Sequence, residues 1–310
     1  MFSVKTFSVN MFSANGQPDW PDQEPAFEIL EPAGLELPLV FNSPHSGTVY
    51  PQQFLASSRL DAFALRRSED SHVDRLFCFA SELGAPLMRA RFPRCYLDVN
   101  REPFELDPRM FEGSLPPAAN TRSIRVAGGL GTIPRLVGEG QEIYGRRLPV
   151  AEALARIEAI YRPYHRALSG LIGRARQQFG LAVLVDCHSM PSTPRQDDKP
   201  TTADIVIGDR YGTSCSPVFV DSICSQFQRL GYTVSRNKPY AGGFNTEYYG
   251  NPGGNCHAIQ IEINRALYLD ERTLEQGPGF EVTRRALQDV MSALAAQALH
   301  SCQPSSLAAE

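Results

Sequence analysis

Apolar residues fall in short blocks divided by polar, glycine-containing turns, and their period changes from block to block. Leu39-Val40-Phe41 is a short apolar run that ends in Asn42-Ser43-Pro44-His45-Ser46-Gly47. Leu181-Ala182-Val183-Leu184-Val185-Asp186 is nearly continuous, as in a strand buried on both faces, and ends in Cys187-His188-Ser189-Met190. His257-Ala258-Ile259-Gln260-Ile261-Glu262-Ile263 alternates and reads as another strand. Shorter strand candidates are Pro86 to Ala90, Cys95 to Val99, Ala203 to Gly208 and Tyr232 to Val234. Helical spacing predicts a helix from Asp70 to Leu83, with Val73, Leu76, Phe77, Ala80 and Leu83 on one face and Gly84 at its end. Pro149 to Phe179 carries the clearest amphipathic stripe, with Pro163 as a possible kink point. Pro217 to Leu230 and Glu281 to His300 are further helices.

Strands alternating with helices predict an α/β fold, with a mixed central sheet flanked by helices. One domain over residues 26–300 accommodates all of these elements. Residues 1–25 read as a loose lead-in and 301–310 as a frayed tail. The first twenty residues hold one lysine and no apolar stretch, so they do not read as a secretory signal. Residues 102–145 are rich in Gly and Pro with little periodicity. That is long for a structureless connection, so an ordered functional excursion is expected there.

Composition narrows the function. Of the 310 residues, 42% are hydrophobic and 21% charged, which suits a globular enzyme rather than a disordered or fibrous chain. Lys and Arg total 30 against 34 Asp and Glu, giving a net charge of -4. No basic excess serves a phosphate backbone, so no nucleic-acid partner is expected. No apolar run spans a bilayer. The seven cysteines are odd in number and show no CxxC spacing. They read as reduced thiols in a cytoplasmic enzyme.

Four predicted strand ends present polar residues: His45, Asn100-Arg101, His188 and Glu262. Strand ends of an α/β sheet converge on one rim. Two histidines with a carboxylate suit a hydrolytic divalent metal with an open position, and a second carboxylate suits a general base. Arginine suits a substrate carboxylate or a developing oxyanion. The third ligand stays open among Glu69, Asp70 and Asp74, with His72 and His257 as further possibilities, whereas His165 on the long helix reads as structural. Singly, each residue has an ordinary alternative: Glu262, for example, would be satisfied by a salt bridge to Arg265.

The order and spacing of several stretches resemble the N-formylglutamate amidohydrolase family from about Leu39 to Leu269. They are Ser43-Pro44-His45-Ser46-Gly47, Asp70 through Leu76, Glu82-Leu83-Gly84-Ala85, and Arg94 with Leu97-Asp98-Val99-Asn100-Arg101. Asp186-Cys187-His188-Ser189-Met190, Gly242-Gly243-Phe244-Asn245-Thr246 through Gly250, and Ala258 through Glu262 complete the set. The resemblance implies a fold like that of zinc carboxypeptidases and aspartoacylases. It implies one zinc, or another divalent ion, on His45, Asp70 and His188. It places Glu262 as general acid/base, Arg94 as a second substrate or oxyanion arginine, and Asn100 and Arg101 on the substrate with Gly243 and Thr246 nearby. The expected reaction is release of formate from N-formyl-L-glutamate in histidine degradation. Glu247 departs from the basic residue expected after Thr246, which keeps another N-acyl amino acid or a small peptide open as substrate. A Cys187–His188 thiol site is disfavoured because strand neighbours face opposite ways, and a non-catalytic binding protein is the remaining alternative. Nothing in the pattern sets an oligomeric state.

Overall fold

The computed structural model describes residues 3–8, 20, 24–138, 140–192 and 203–302. The apolar run after Gly180 forms a strand, Ala182–Met190, buried along its whole length. It lies at the middle of an eight-stranded sheet. In chain order the strands are β1 (Ser3–Ser8), β2 (Pro25–Glu31), β3 (Leu39–Ser43), β4 (Leu87–Ala90), β5 (Ala182–Met190), β6 (Ile205–Gly208), β7 (Val234–Arg236) and β8 (Cys256–Asn264). In space they run β1-β2-β4-β3-β5-β8-β6-β7. The four central strands β4, β3, β5 and β8 are parallel, while β2 pairs β4 and β6 pairs β8 antiparallel. The expected mixed sheet is therefore present.

Alternation along each strand sorts side chains onto two faces. Leu39 and Phe41, Val183, Val185 and Cys187, and Ile259, Ile261 and Ile263 share one core with the helices Pro217–Arg229 and Phe280–Cys302. Val40, Ala182, Leu184 and Ala258 pack on the other face against Tyr164, Leu168 and Ala175 of the long helix. Toward the strand ends this second face turns polar, with Asn42, Asp186, His188, Gln260 and Glu262 all buried.

The long helix runs as Val150–Arg156, a wide π turn at Ile157–Tyr161, and Arg162–Phe179. The π turn falls just before Pro163, which has no N–H for a regular helical bond and crowds the preceding turn. Gly180 closes the helix at φ 73°.

Several expected elements differ. Asp70 to Leu83 is not one helix but a single turn, Val73–Leu76, followed by a 3-10 turn at Cys78–Ala80. His72 at φ 62° is left-handed and interrupts it at the start. The apolar positions Val73, Leu76, Phe77 and Ala80 are nevertheless buried. Cys95 to Val99 is not a strand. It coils from Pro93, whose carbonyl accepts from the N–H of Tyr96 and Leu97. The strand expected over Tyr232 to Val234 falls instead at Val234–Arg236. Part of the loose lead-in is ordered: Ser3–Ser8 pairs with β2, Phe7 stacks on Phe27 with centroids 4.5 Å apart, and Trp20 is buried. The final helix continues through Cys302, and the rest of the tail lies outside the described residues.

One close approach fixes the loop after β3. A Cβ on Gly47 would stand 2.0 Å from the Phe92 carbonyl oxygen and 2.5 Å from the Arg91 carbonyl carbon. Val49 N–H donates to Arg91 O at 2.9 Å, so backbone meets backbone there. Gly47→Ala should therefore destabilise the protein by about 2–3 kcal/mol, since the close contacts are to backbone atoms that cannot yield to overpacking. Urea unfolding of the two proteins reads this difference.

Candidate metal centre and active site

Three parallel strands deliver the site to one rim. His45 follows β3, His188 lies near the end of β5, and Glu262 lies opposite His188 in the β5–β8 register, with Gln260 opposite Asp186. The turn after β4 carries Arg94, Asp98, Asn100 and Arg101. Asp70 reaches the cluster because its N–H donates to His45 O at 3.0 Å.

His45, Asp70 and His188 each offer one ligand atom, and these atoms lie within 4.8 Å of one another. Asp70 Oδ2 stands 3.4 Å from His45 Nδ1 and 3.1 Å from His188 Nδ1. All three residues are buried. The outward atoms are already taken. His45 Nε2 pairs with Asp98 Oδ1 at 2.8 Å, and His188 Nε2 with Asp186 Oδ2 at 2.8 Å. Asp70 Oδ1 accepts from Arg265 Nη2 at 3.2 Å and Ser189 Oγ at 3.3 Å. Carboxylates on the outer ring nitrogens orient both rings with Nδ1 inward, the placement in which a metal-binding histidine offers its lone pair once that nitrogen is deprotonated. His45 Nδ1 is buried without a hydrogen-bond partner. An orphaned buried acceptor facing a carboxylate and a second imidazole fits one divalent ion.

The electrostatics agree. Burial alone would raise the Asp70 carboxyl, but the His188 and His45 contacts outweigh it and hold it well below the usual range. Burial alone would lower His188, but Asp186 and Asp70 hold it well above 6.5. Burial likewise loses at Asp98, where Arg101, His45 and Arg94 keep the group ionised.

The rival ligands are engaged elsewhere. Glu69 accepts from Tyr50 OH at 2.7 Å and Ser71 Oγ at 3.1 Å, and Asp74 from Arg89 Nη1 at 3.1 Å. His72 Nε2 pairs with Leu274 O at 3.0 Å, and His257 Nδ1 accepts from Ser216 N–H at 3.2 Å. His165 bridges Tyr249 OH and Val99 O, each at 2.9 Å, and burial lowers it to about 4, so it is a neutral strut. Cys187 faces the opposite core from His188, and burial raises its thiol well above 9.0.

The site opens into a cavity of about 850 Å³, walled by His45, Asp70, His188, Glu262 and a set of arginines. A second cavity of about 500 Å³ lies at the far strand ends, around Leu181, Asn255 and His257, away from this chemistry. Glu262 accepts from Gln260 Nε2 at 2.8 Å, not from Arg265. Burial and the charge of Asp70 push its carboxyl up to about 7, against the pull of His188 and Arg94. Arg94 donates through Nε to Asp98 Oδ2 at 3.0 Å, and its terminal nitrogens make no other hydrogen bond among the described residues. Arg101 is more committed: Nε donates to Leu130 O at 2.8 Å, Nη1 to Asn100 O at 2.7 Å, and Nη2 stands 3.5 Å from Asp98. Asn100 Oδ1 accepts from Asn245 N–H at 2.8 Å.

Gly243 lines the cavity, and a Cβ there would fall 2.4 Å from the Asn100 side chain. Thr246 stands behind that wall, fully buried, donating to Gly243 O at 2.8 Å. Glu247 lies on the surface, paired with Arg210 at 3.0 Å. The described residues of the 102–145 excursion supply Arg125, Leu130, Leu136 and Val137 to the cavity. Asp98 and Asp186, which orient the two histidines, were not singled out from the sequence. Asp186 stands two residues before His188 on a strand, hence on the same face, and that spacing was the available signal.

Two measurements test the centre. His188→Ala should lose stoichiometric metal, read by elemental analysis. In the unaltered protein a proton and the ion compete for His188 Nδ1, whose pKa is raised. Below that pKa each unit rise in pH removes proton competition, so apparent metal affinity should climb about tenfold per unit. A competing chelator titration across neutral pH reads the slope.

Comparison with known proteins agrees with this geometry. The pattern of the N-formylglutamate amidohydrolase family matches residues 37–269. An N-formylglutamate deformylase of Pseudomonas aeruginosa is 30% identical over 276 residues, 87% of this chain and 97% of its own. One from Pseudomonas putida is 30% identical over 240 residues, 76% of this chain and 83% of its own. The crystal structure of an N-formylglutamate amidohydrolase from Ralstonia eutropha JMP134 is 38% identical, with a TM-score of 0.80, covering 89% of this chain and 97% of that one. With a buried His-Asp-His cluster at the rim of its sheet, this chain belongs to the N-formylglutamate amidohydrolase family.

Proposed function

We propose that this protein hydrolyses the amide of N-formyl-L-glutamate, releasing formate and glutamate. The carrying observation is the convergence of His45 Nδ1, His188 Nδ1 and Asp70 Oδ2 beside the buried Glu262. The names of the relatives supply the substrate. Among the described residues no helix is long and apolar enough to cross a membrane, which suits a small dissolved substrate.

His45, Asp70 and His188 would hold a zinc or other divalent ion, which would supply Lewis acidity and a water acidic enough to react near neutral pH. Glu262 is the base. Its carboxylate takes one proton from the attacking water as the water oxygen bonds to the formyl carbon. Its raised pKa lets it keep that proton until the C–N bond breaks. Glu262 then hands the proton to the departing nitrogen, leaving formate and an amine. Arg94, with free terminal nitrogens and near the charges of Asp70 and Glu262, faces the oxygen on which charge develops. Asn100 and Arg101 stiffen the wall, and Arg101 leaves only Nη2 to meet a substrate carboxylate. Gly243 lets the Ala241–Gly243 backbone come close beside Asn100.

The first test is formate release from N-formyl-L-glutamate with and without chelator, with metal content measured on the same preparation. Chelator-sensitive release supports the reading; bound metal without release would redirect it to another N-acyl amino acid. Glu262→Gln keeps the ligand set and removes the proton acceptor. It should retain metal while kcat falls by about 100-fold or more. Full turnover in that variant would sink the base assignment.

A further inference from the structure

We infer that Arg125, carried by the 102–145 excursion, recognises the side-chain carboxylate of the substrate and sets the preference for an acidic acyl-amino acid. The inference rests on the reaction proposed above, and it concerns a residue that the motifs do not include.

Arg125 lies on the short helix Ile124–Ala127, whose N-cap Ser123 accepts from Val126 N–H at 3.1 Å. Its own carbonyl accepts from Leu130 N–H at 2.7 Å, so its backbone is pinned at both sides. The side chain lines the cavity and is 30% exposed. Its nearest carboxylate, the buried Glu105 Oε2, stands 3.7 Å from Nη1, too far for a hydrogen bond. Glu105 aims the guanidinium without saturating it, and among the described residues the Arg125 side chain makes no hydrogen bond. A half-buried guanidinium with five unused donors is an unfinished anion site.

The other cavity arginines are less available. Arg265 is committed to Asp70, Glu69 O and Arg67 O. Arg101 is tied to two carbonyls. Arg272 is 90% exposed and pairs with Asp270. Arg67 is exposed at the mouth. Arg94 remains, and it lies by the reacting centre, within reach of the charges of Asp70 and Glu262. Arg101 feels both Arg94 and Arg125 as like charges, and all three arginines line the same cavity as the metal cluster. An acyl-glutamate presents its reacting amide and a second carboxylate a few bonds away. Arg94 feels the charges of Asp70 and Glu262 by the reacting centre, which leaves Arg125 as a separate, uncommitted guanidinium on the same cavity for the second carboxylate. Glu247, which departs from the family pattern, lies outside the cavity and leaves this recognition intact.

The test compares kcat/KM for formate release from N-formyl-L-glutamate and from its neutral isostere N-formyl-L-glutamine. It uses the unaltered protein, Arg125→Gln and Arg125→Lys. In Arg125→Gln the glutamate-to-glutamine ratio should fall about 10- to 100-fold, mainly through KM, as for loss of a charge-assisted contact. Arg125→Lys should recover part of the ratio. An equal fall on both substrates, or an unchanged ratio, would overturn the inference by making Arg125 a structural or idle residue. If the unaltered protein releases formate from neither compound, the proposed reaction fails instead. Calorimetry with glutamate and glutamine then decides the site: lost preference for glutamate in Arg125→Gln supports it, and retained preference overturns it.

Discussion

The Asp98 carboxylate ties the centre together. One oxygen takes His45 Nε2 and the Asn100 N–H, each at 2.8 Å, and the other takes Arg94 Nε at 3.0 Å. Its backbone N–H donates to Thr132 O at 2.8 Å, which anchors the excursion. A single buried anion thus orients a metal ligand, holds the Arg94 guanidinium and seats the cavity wall. It remains charged at 1% exposure because three cationic or polar partners surround it. A buried carboxylate with this many donors contributes strongly only while all are present, since losing one leaves an unpaired charge. Asp186 plays the matching part on the other side, taking His188 Nε2, Asn42 Nδ2 and Asn245 Nδ2.

The long helix backs this layer. Tyr161 OH donates to Arg101 O at 2.7 Å, and Tyr164 OH to Asn42 Oδ1 at 2.5 Å. His165, kept neutral by burial, joins Val99 O to Tyr249 OH. These side chains come from one stretch around the π turn. Polar groups from a helix otherwise packed on apolar core therefore satisfy the loops behind the active site, where unpaired carbonyls would be costly.

The central strands were legible because burial on both faces leaves a nearly unbroken apolar run, and because function collects at the ends of parallel strands. His45, His188 and Glu262 were found this way. Choosing Asp70 over Glu69 and Asp74 required the family resemblance, since all three are acidic residues near one turn and only tertiary contact separates them. Ser3–Ser8 was missed because an edge strand with exposed side chains carries no apolar alternation; its pairing with β2 holds it. The break at His72 was missed because the apolar positions after it keep helical spacing even though the backbone turns left-handed. Arg125 lacked any local signal, since its meaning comes from a cavity built by distant segments.

The pairing of β5 with β8 carries one more implication. His188 and Glu262 are neighbours across one hydrogen-bonded ladder, as are Asp186 and Gln260. The spacing between His188 and Glu262 is thus written in backbone register rather than in loop length. Lengthening the connections before β8 leaves that spacing alone, whereas inserting one residue within β8 ahead of Gln260 would swap its faces and drive Glu262 into the apolar core. Descendants of such a scaffold can vary their loops, and with them their substrates, while the strand lengths stay frozen.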